Sequence, residues 1–119
     1  MTGAELRRVA IVDDDDGVRG SLRFLLEVVG HTVEAFASAA EFLESDLPNI
    51  ACLILDQHMP EMTGLELAER LRNDGINIPI LLITGSPSPV IIAGAAELGI
   101  RVLEKPPEEE DVVDFVNAT

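Results

Sequence analysis

Positive charge is scarce in this chain: 8 Lys and Arg stand against 22 Asp and Glu, a formal net charge of −14. A surface that acidic repels phosphate backbones and anionic lipid, which argues against direct nucleic-acid binding by this domain. Long apolar runs are missing as well. No stretch approaches the length of a membrane-spanning helix, and the first residues lack the apolar core of a signal peptide. Cysteine occurs once, as Cys52 inside the apolar run Ala51 to Leu55. Nothing nearby would lower its pKa, so it reads as a buried, reduced core residue and not as a nucleophile. Together these absences predict a cytoplasmic domain.

What is present is enough apolar material for one core. The 119 residues are 47% hydrophobic, which fits a single folded domain spanning 1–119. Strand-like and helix-like segments alternate, the signature of an α/β domain with a parallel sheet. Strands are predicted at Arg8 to Val12, His31 to Phe36, Ala51 to Leu55, Ile78 to Ile83 and Ile100 to Leu103. The most continuously apolar of these, Ala51 to Leu55, is expected at the centre of the sheet. A helix from Gly17 to Val29 places Val18, Leu22, Leu25 and Val29 on one face, and Gly30 ends it. Ser38 caps a short helix, with Glu41 completing a capping-box pattern. Pro48-Asn49 marks a turn. Met59 to Gly64 reads as a loop followed by a helix to about Asn73, and further helices are predicted from about Val90 to Leu98 and Glu108 to Val116, with Gly85 to Pro89 as a loop.

Four of the strands lead directly into reactive groups. Ile11-Val12 precedes Asp13-Asp14, Leu55 precedes Asp56, Ile83 precedes Thr84, and Leu103 runs up to Glu104-Lys105. In an open parallel sheet, ligands bind beyond the carboxyl ends of the strands. Three carboxylates, a hydroxyl and an ammonium are therefore expected in one shallow pocket. Two acids roughly 4 Å apart repel by about 4 kcal/mol at an effective dielectric of about 20. Bringing Asp13, Asp14 and Asp56 together calls for a divalent cation, and all-oxygen ligands suggest Mg²⁺ over zinc. Lys105 would offer a fixed positive charge beside Asp56, and Thr84 a hydroxyl donor. Lys105-Pro106 is a candidate cis peptide. Asp15 and Asp16 read as the start of a helix. An EF-hand is excluded by spacing, because counting back from Gly17 starts that loop on Val12. The His58 side chain reads as an exposed loop residue whose main-chain carbonyl is the more plausible ligand.

With these residues in place, the chain resembles the receiver domain of two-component response regulators over essentially its whole length. The matching stretches are Ile11 to Asp15 with Val18-Arg19, Asp56 to Gly64, Ile83-Thr84-Gly85, and Glu104-Lys105-Pro106. The resemblance implies a flavodoxin-like (CheY-like) three-layer α/β/α sandwich with a five-stranded parallel sheet of order 2-1-3-4-5. It makes Asp56 the phosphoacceptor. Asp14, Asp56 and the His58 carbonyl would bind Mg²⁺, with Asp13 helping through water, while Thr84 and Lys105 would sense the phosphoryl group. The implied donor is a sensor histidine kinase, and the only chemistry is self-catalysed phosphotransfer and autodephosphorylation. The chain looks most like receivers that precede a helix-turn-helix output domain in nitrogen-fixation-type regulators. No output domain is expected within 1–119, and the domain would act as a monomer or a phosphorylation-dependent dimer.

Two departures set this chain apart. The family's switch aromatic falls on Val102, three residues before Lys105, and the chain has no Tyr. Pro107 follows the Lys-Pro pair, and Pro87 and Pro89 stiffen the loop after Thr84. Two other functions are compatible with parts of the pattern. Asp14-x-Asp16 resembles the opening of haloacid-dehalogenase-type phosphatases, with Asp14 as nucleophile and Asp16 as general acid. That reading leaves Asp56 and its loop without a role. A non-phosphorylated interaction module on the receiver scaffold would account for Val102 but not for the intact set of site residues.

Overall fold

Alternation of apolar runs with amphipathic segments produces, among the described residues, five strands and five helices in strict succession. The computed structural model describes residues 8–46 and 49–119. The turn expected at Pro48-Asn49 therefore lies partly outside the described residues. The elements are β1 (Arg8–Val12), α1 (Asp16–Val28), β2 (Thr32–Phe36), α2 (Ala39–Glu44), β3 (Ile50–Asp56), α3 (Gly64–Asn73), β4 (Ile80–Thr84), α4 (Pro89–Leu98), β5 (Arg101–Glu104) and α5 (Glu109–Asn117). All strand pairs are parallel, and the sheet runs β2-β1-β3-β4-β5. The expected order 2-1-3-4-5 is thus observed, with β3 at the centre.

A parallel sheet covered on both faces needs apolar side chains at odd and even positions alike. On one face, Ala10, Val12, Leu53, Leu55, Ile80 and Leu82 pack with Ala39 of α2, Leu67 and Leu71 of α3 and Ala95 of α4. On the other, Val9, Ile11, Cys52, Ile54, Leu81 and Ile83 pack with Leu22 and Leu26 of α1 and Val112, Phe115 and Val116 of α5. Burying each large aliphatic side chain contributes roughly 1.5–3 kcal/mol. These two layers hold the strand ends in fixed register.

Several local details differ from the sequence reading. Val29 does not join the buried face of α1, because the helix ends at Val28 and Val29 is its C-cap. Leu26, four residues after Leu22, fills that place and is fully buried, whereas Val29 is exposed. Gly30 takes the left-handed conformation after the cap, as expected. Pro89 belongs to α4 and not to the preceding loop: Ser88 caps the helix, and proline is favoured at a first helical position where no N–H bond is lost. At α2, Ser38 accepts from Glu41 N, but the Glu41 carboxylate returns to Ala37 N, one residue before the cap. The full reciprocal capping box sits elsewhere, between Thr63 and Glu66 at the start of α3.

Candidate functional site

Strand periodicity places the acids before any side-chain contact is considered. Ile11 pairs with Ile54 and Val12 with Leu55, so the next positions along β1 and β3 are Asp13 and Asp56. Counting by two from Ile11 and Ile54 sets both on the face covered by α1 and α5. Carboxylate oxygens of Asp13, Asp14 and Asp56 all lie within 4.8 Å of one another. Asp13 and Asp56 are buried, and Asp14 is exposed at the rim.

The backbone around these acids is pinned by the sheet itself. Asp13 N donates to Phe36 O (3.1 Å), Gln57 N to Ile83 O (3.0 Å) and Lys105 N to Thr84 O (2.9 Å). The Lys105-Pro106 peptide is cis. From this position Lys105 Nζ reaches Asp56 Oδ1 at 2.7 Å and Asp13 Oδ2 at 3.5 Å. Burial lowers the Lys105 pKa, but its contacts with Asp56 and Asp13 outweigh that and hold it above the ordinary 10.5. Burial raises the Asp13 pKa above 3.8, and the neighbouring charge of Asp56 adds to this; the N–H of Asp15 and the Lys105 ammonium oppose it. One ammonium thus faces three carboxylates, and the charge of the pocket is not balanced by these groups.

The remaining members stand around this trio. Asp15 caps α1 by accepting from Val18 N, while Asp16 pairs with Arg19, so both serve the helix start as their sequence position suggests. Thr84 is wholly buried, and its Oγ1 accepts from Ser86 N at 3.2 Å. His58 is exposed on the loop after β3, yet its Nε2 lies 3.3 Å from Thr84 Oγ1. Sequence reasoning missed that contact, since an exposed loop residue carries no spacing signal for its side-chain direction.

Three further residues build the site without having been singled out. Arg19 donates to the main-chain carbonyl of Asp13 at 2.7 Å, clamping the turn that carries Asp13 and Asp14. Gln57 accepts from Leu65 N through its side chain (2.9 Å) and from Gly64 N through its main chain (3.1 Å), tying the end of β3 to the start of α3. Gly64 is needed for that closeness: a Cβ there would stand 2.5 Å from Asp56 O and 2.6 Å from Leu82 Cδ1. The loop between them is tight. Met62 N bonds Pro60 O at 2.8 Å across Glu61, which takes the left-handed φ of 72°. The Thr63-x-x-Glu66 spacing was the available signal for this α3 start.

The donor set fits a hard divalent cation. Asp56 Oδ1 is buried and, among the described residues, no group donates to it in hydrogen-bond geometry; Lys105 is its ion-pair partner. A desolvated carboxylate oxygen in that state, flanked by two more carboxylates, is a ligand atom for a cation that prefers oxygen.

Residues 9–117 match the family described as the response regulator receiver domain. Among curated proteins, the chain is 37% identical over 113 residues to the transcriptional regulatory protein FixJ of Azorhizobium caulinodans, covering 93% of this chain and 54% of that one. Among solved structures, the response regulator StyR superposes with a TM-score of 0.86 at 39% identity, covering 94% of this chain and 58% of the other. FixJ-N superposes at 0.83 with 36% identity, covering 93% and 90%. The chain spans about half the length of the curated relatives it matches. Parallel order 2-1-3-4-5, the carboxylate trio at the sheet's carboxyl edge and these similarities agree: the chain belongs to the receiver-domain family of two-component response regulators.

Proposed function

We propose that this domain accepts a phosphoryl group on Asp56 from the phosphohistidine of a sensor histidine kinase, in a Mg²⁺-dependent reaction. The observation that carries the reading is the state of Asp56: buried at the end of the central strand, ion-paired to Lys105 and crowded by Asp13 and Asp14. Asp13, Asp14, Asp56 and the main-chain carbonyl of His58 would hold the cation. When bound, Mg²⁺ supplies the charge neutralisation that lets an anionic phosphoryl donor approach three carboxylates.

The chain's own groups do the rest. A carboxylate oxygen of Asp56 attacks phosphorus, and the O–P bond forms as the donor's N–P bond breaks. Lys105, already beside Asp56, pairs with the phosphoryl oxygens, and Thr84 donates its hydroxyl to one of them. Hydrolysis of the O–P bond by water restores the carboxylate. This is self-catalysed transfer and autodephosphorylation, with no turnover of an external substrate.

A groove and an apolar strip beside the site offer a surface that a protein donor could dock on. A groove of about 630 Å³ between α1 and α5 opens next to Lys105 and is lined by Val18, Leu22, Leu25, Pro106 and Val112. Phe24 and Val28 leave an apolar strip on the exposed side of α1, 71% and 66% exposed. Because the matched relatives are about twice as long, we place this domain as the receiving part of a longer cytoplasmic regulator with a helix-turn-helix output. It would act as a monomer or a phosphorylation-dependent dimer. Among the described residues no helix is long and apolar enough to cross a membrane.

The phosphatase reading with Asp14 as nucleophile is not favoured, since the chain belongs to the receiver family and, among the described residues, Lys105 pairs with Asp56 and Asp13 and no cation pairs with the exposed Asp14. The test is to phosphorylate with acetyl phosphate and Mg²⁺, then map the adduct. Label on Asp56 supports the proposal; label on Asp14, or sustained turnover of a generic phosphate ester, overturns it.

A further inference from the structure

The contact between His58 and Thr84 is not used by the reaction above, and it has a consequence for the hydroxyl. A threonine hydroxyl has one proton to give and two lone pairs to accept with. Ser86 N–H already occupies one lone pair of Thr84 Oγ1 at 3.2 Å, and His58 Nε2 approaches at 3.3 Å. If Nε2 carried the proton and donated, both lone pairs would be taken and the hydroxyl proton would need another acceptor. Thr84 is wholly buried, and the described residues show no such acceptor. A buried donor left unpaired is costly, so the arrangement with nothing unpaired has Thr84 donating to Nε2.

We propose that His58 is a positioning residue that accepts the Thr84 hydroxyl hydrogen bond in the resting domain, so that a phosphoryl group must displace the imidazole as its acceptor. The idea rests on the proposed role of Thr84 as a phosphoryl-sensing donor. An anionic phosphoryl oxygen is a stronger acceptor than a neutral imidazole nitrogen, and therefore wins. His58 sits on an exposed loop and can swing away once released. The latch makes capture of the phosphoryl group less favourable than the pocket alone would allow, and removing the imidazole tightens it.

Two measurements on the whole domain test this. In nitrogen-15 spectra recorded well above neutral pH, His58 is expected as the tautomer with unprotonated Nε2, reverting to the commoner Nε2–H form in Thr84→Ala. The chain's other histidine is an internal reference of the opposite kind, because His31 Nε2 must donate to the Asn117 Oδ1 acceptor 2.8 Å away. An Nε2–H tautomer for His58 in the unsubstituted protein overturns the proposal. The second measurement is the affinity for beryllofluoride with Mg²⁺. His58→Ala is expected to tighten it by about threefold to tenfold, the worth of one neutral hydrogen bond, and to have no effect in a Thr84→Ala background. An equal change in both backgrounds, or none in either, overturns the latch. Failure of the unsubstituted protein to take up beryllofluoride would instead strike the phosphoacceptor reading, while the tautomer measurement still decides the latch.

Discussion

Lys105 Nζ stands 2.7 Å from Asp56 Oδ1, so the chain's single lysine neutralises the carboxylate at the end of the central strand. The two residues lie at the carboxyl ends of different strands, central β3 and edge strand β5, with β4 between them, and the parallel register brings them together.

Because there is one lysine, its titration can be followed as a single side-chain NMR signal. Its pKa is expected above 10.5 and should fall in Asp56→Asn, which removes its nearest charge partner. A lysine raised in the folded state contributes stability that is fully present below about pH 10.5 and disappears as pH climbs through the raised value. An unchanged lysine titration in Asp56→Asn would show that the pair does not exist in solution.

Asp13 behaves in the opposite sense. Its folded-state pKa lies above 3.8, so over that window the native state keeps a proton the unfolded chain has lost. Stability therefore falls as pH rises from about 3.8 through the raised value, and the charge is a burden above it. In the presence of a chelator, Asp13→Asn is expected to raise the melting temperature at neutral pH by about 2–5 °C, with the gain shrinking toward pH 3.8. Asp14→Asn should give a smaller rise, since Asp14 is exposed and its repulsion is screened. A lower melting temperature for both variants would show that the carboxylates do not crowd one another.

Gly64→Ala tests how the site is built. The added methyl would overlap Asp56 O and Leu82 Cδ1, so backbone must shift at the end of β3. A loss of about 1–3 kcal/mol in urea unfolding is expected, together with weaker Mg²⁺ binding by calorimetry. Full stability with unchanged Mg²⁺ affinity would mean that α3 can retreat without disturbing Asp56.

Val102 stands three residues before Lys105. It is half-buried between α4 and the core, lining a cleft of about 450 Å³ with Ile92, Ala95 and Ile100. Among the described residues no aromatic side chain lines this cleft. Beryllofluoride with Mg²⁺ is expected to shift amide resonances only part of the way, short of the near-complete change that requires about 5.5 kcal/mol of preference. Val102→Tyr should extend the shift. A complete two-state change in the unsubstituted domain would show that no aromatic is needed.

The positions of Asp13, Asp56, Thr84 and Lys105 were legible because each lies at the end of an apolar strand, where side-chain parity and register leave little freedom. What escaped depended on helix phase and on loops. Val29 fitted the helical spacing, but α1 had already ended, and Leu26 took the buried position. Pro89 carried a loop signal and a helix-start signal at once, and Ser88 decided between them. The clamp from Arg19 to the Asp13 carbonyl and the reach of His58 to Thr84 involve single side chains meeting atoms far from any periodic pattern.

The most direct measurement is fluorine-19 NMR of the domain titrated with beryllofluoride, with and without Mg²⁺, alongside Asp56→Asn. Protein-bound fluoride resonances are expected only when Mg²⁺ is present and only with Asp56 intact. Bound resonances that persist without Mg²⁺ or in Asp56→Asn, or that never form in the unsubstituted chain, would contradict a cation-dependent phosphoacceptor at this carboxylate.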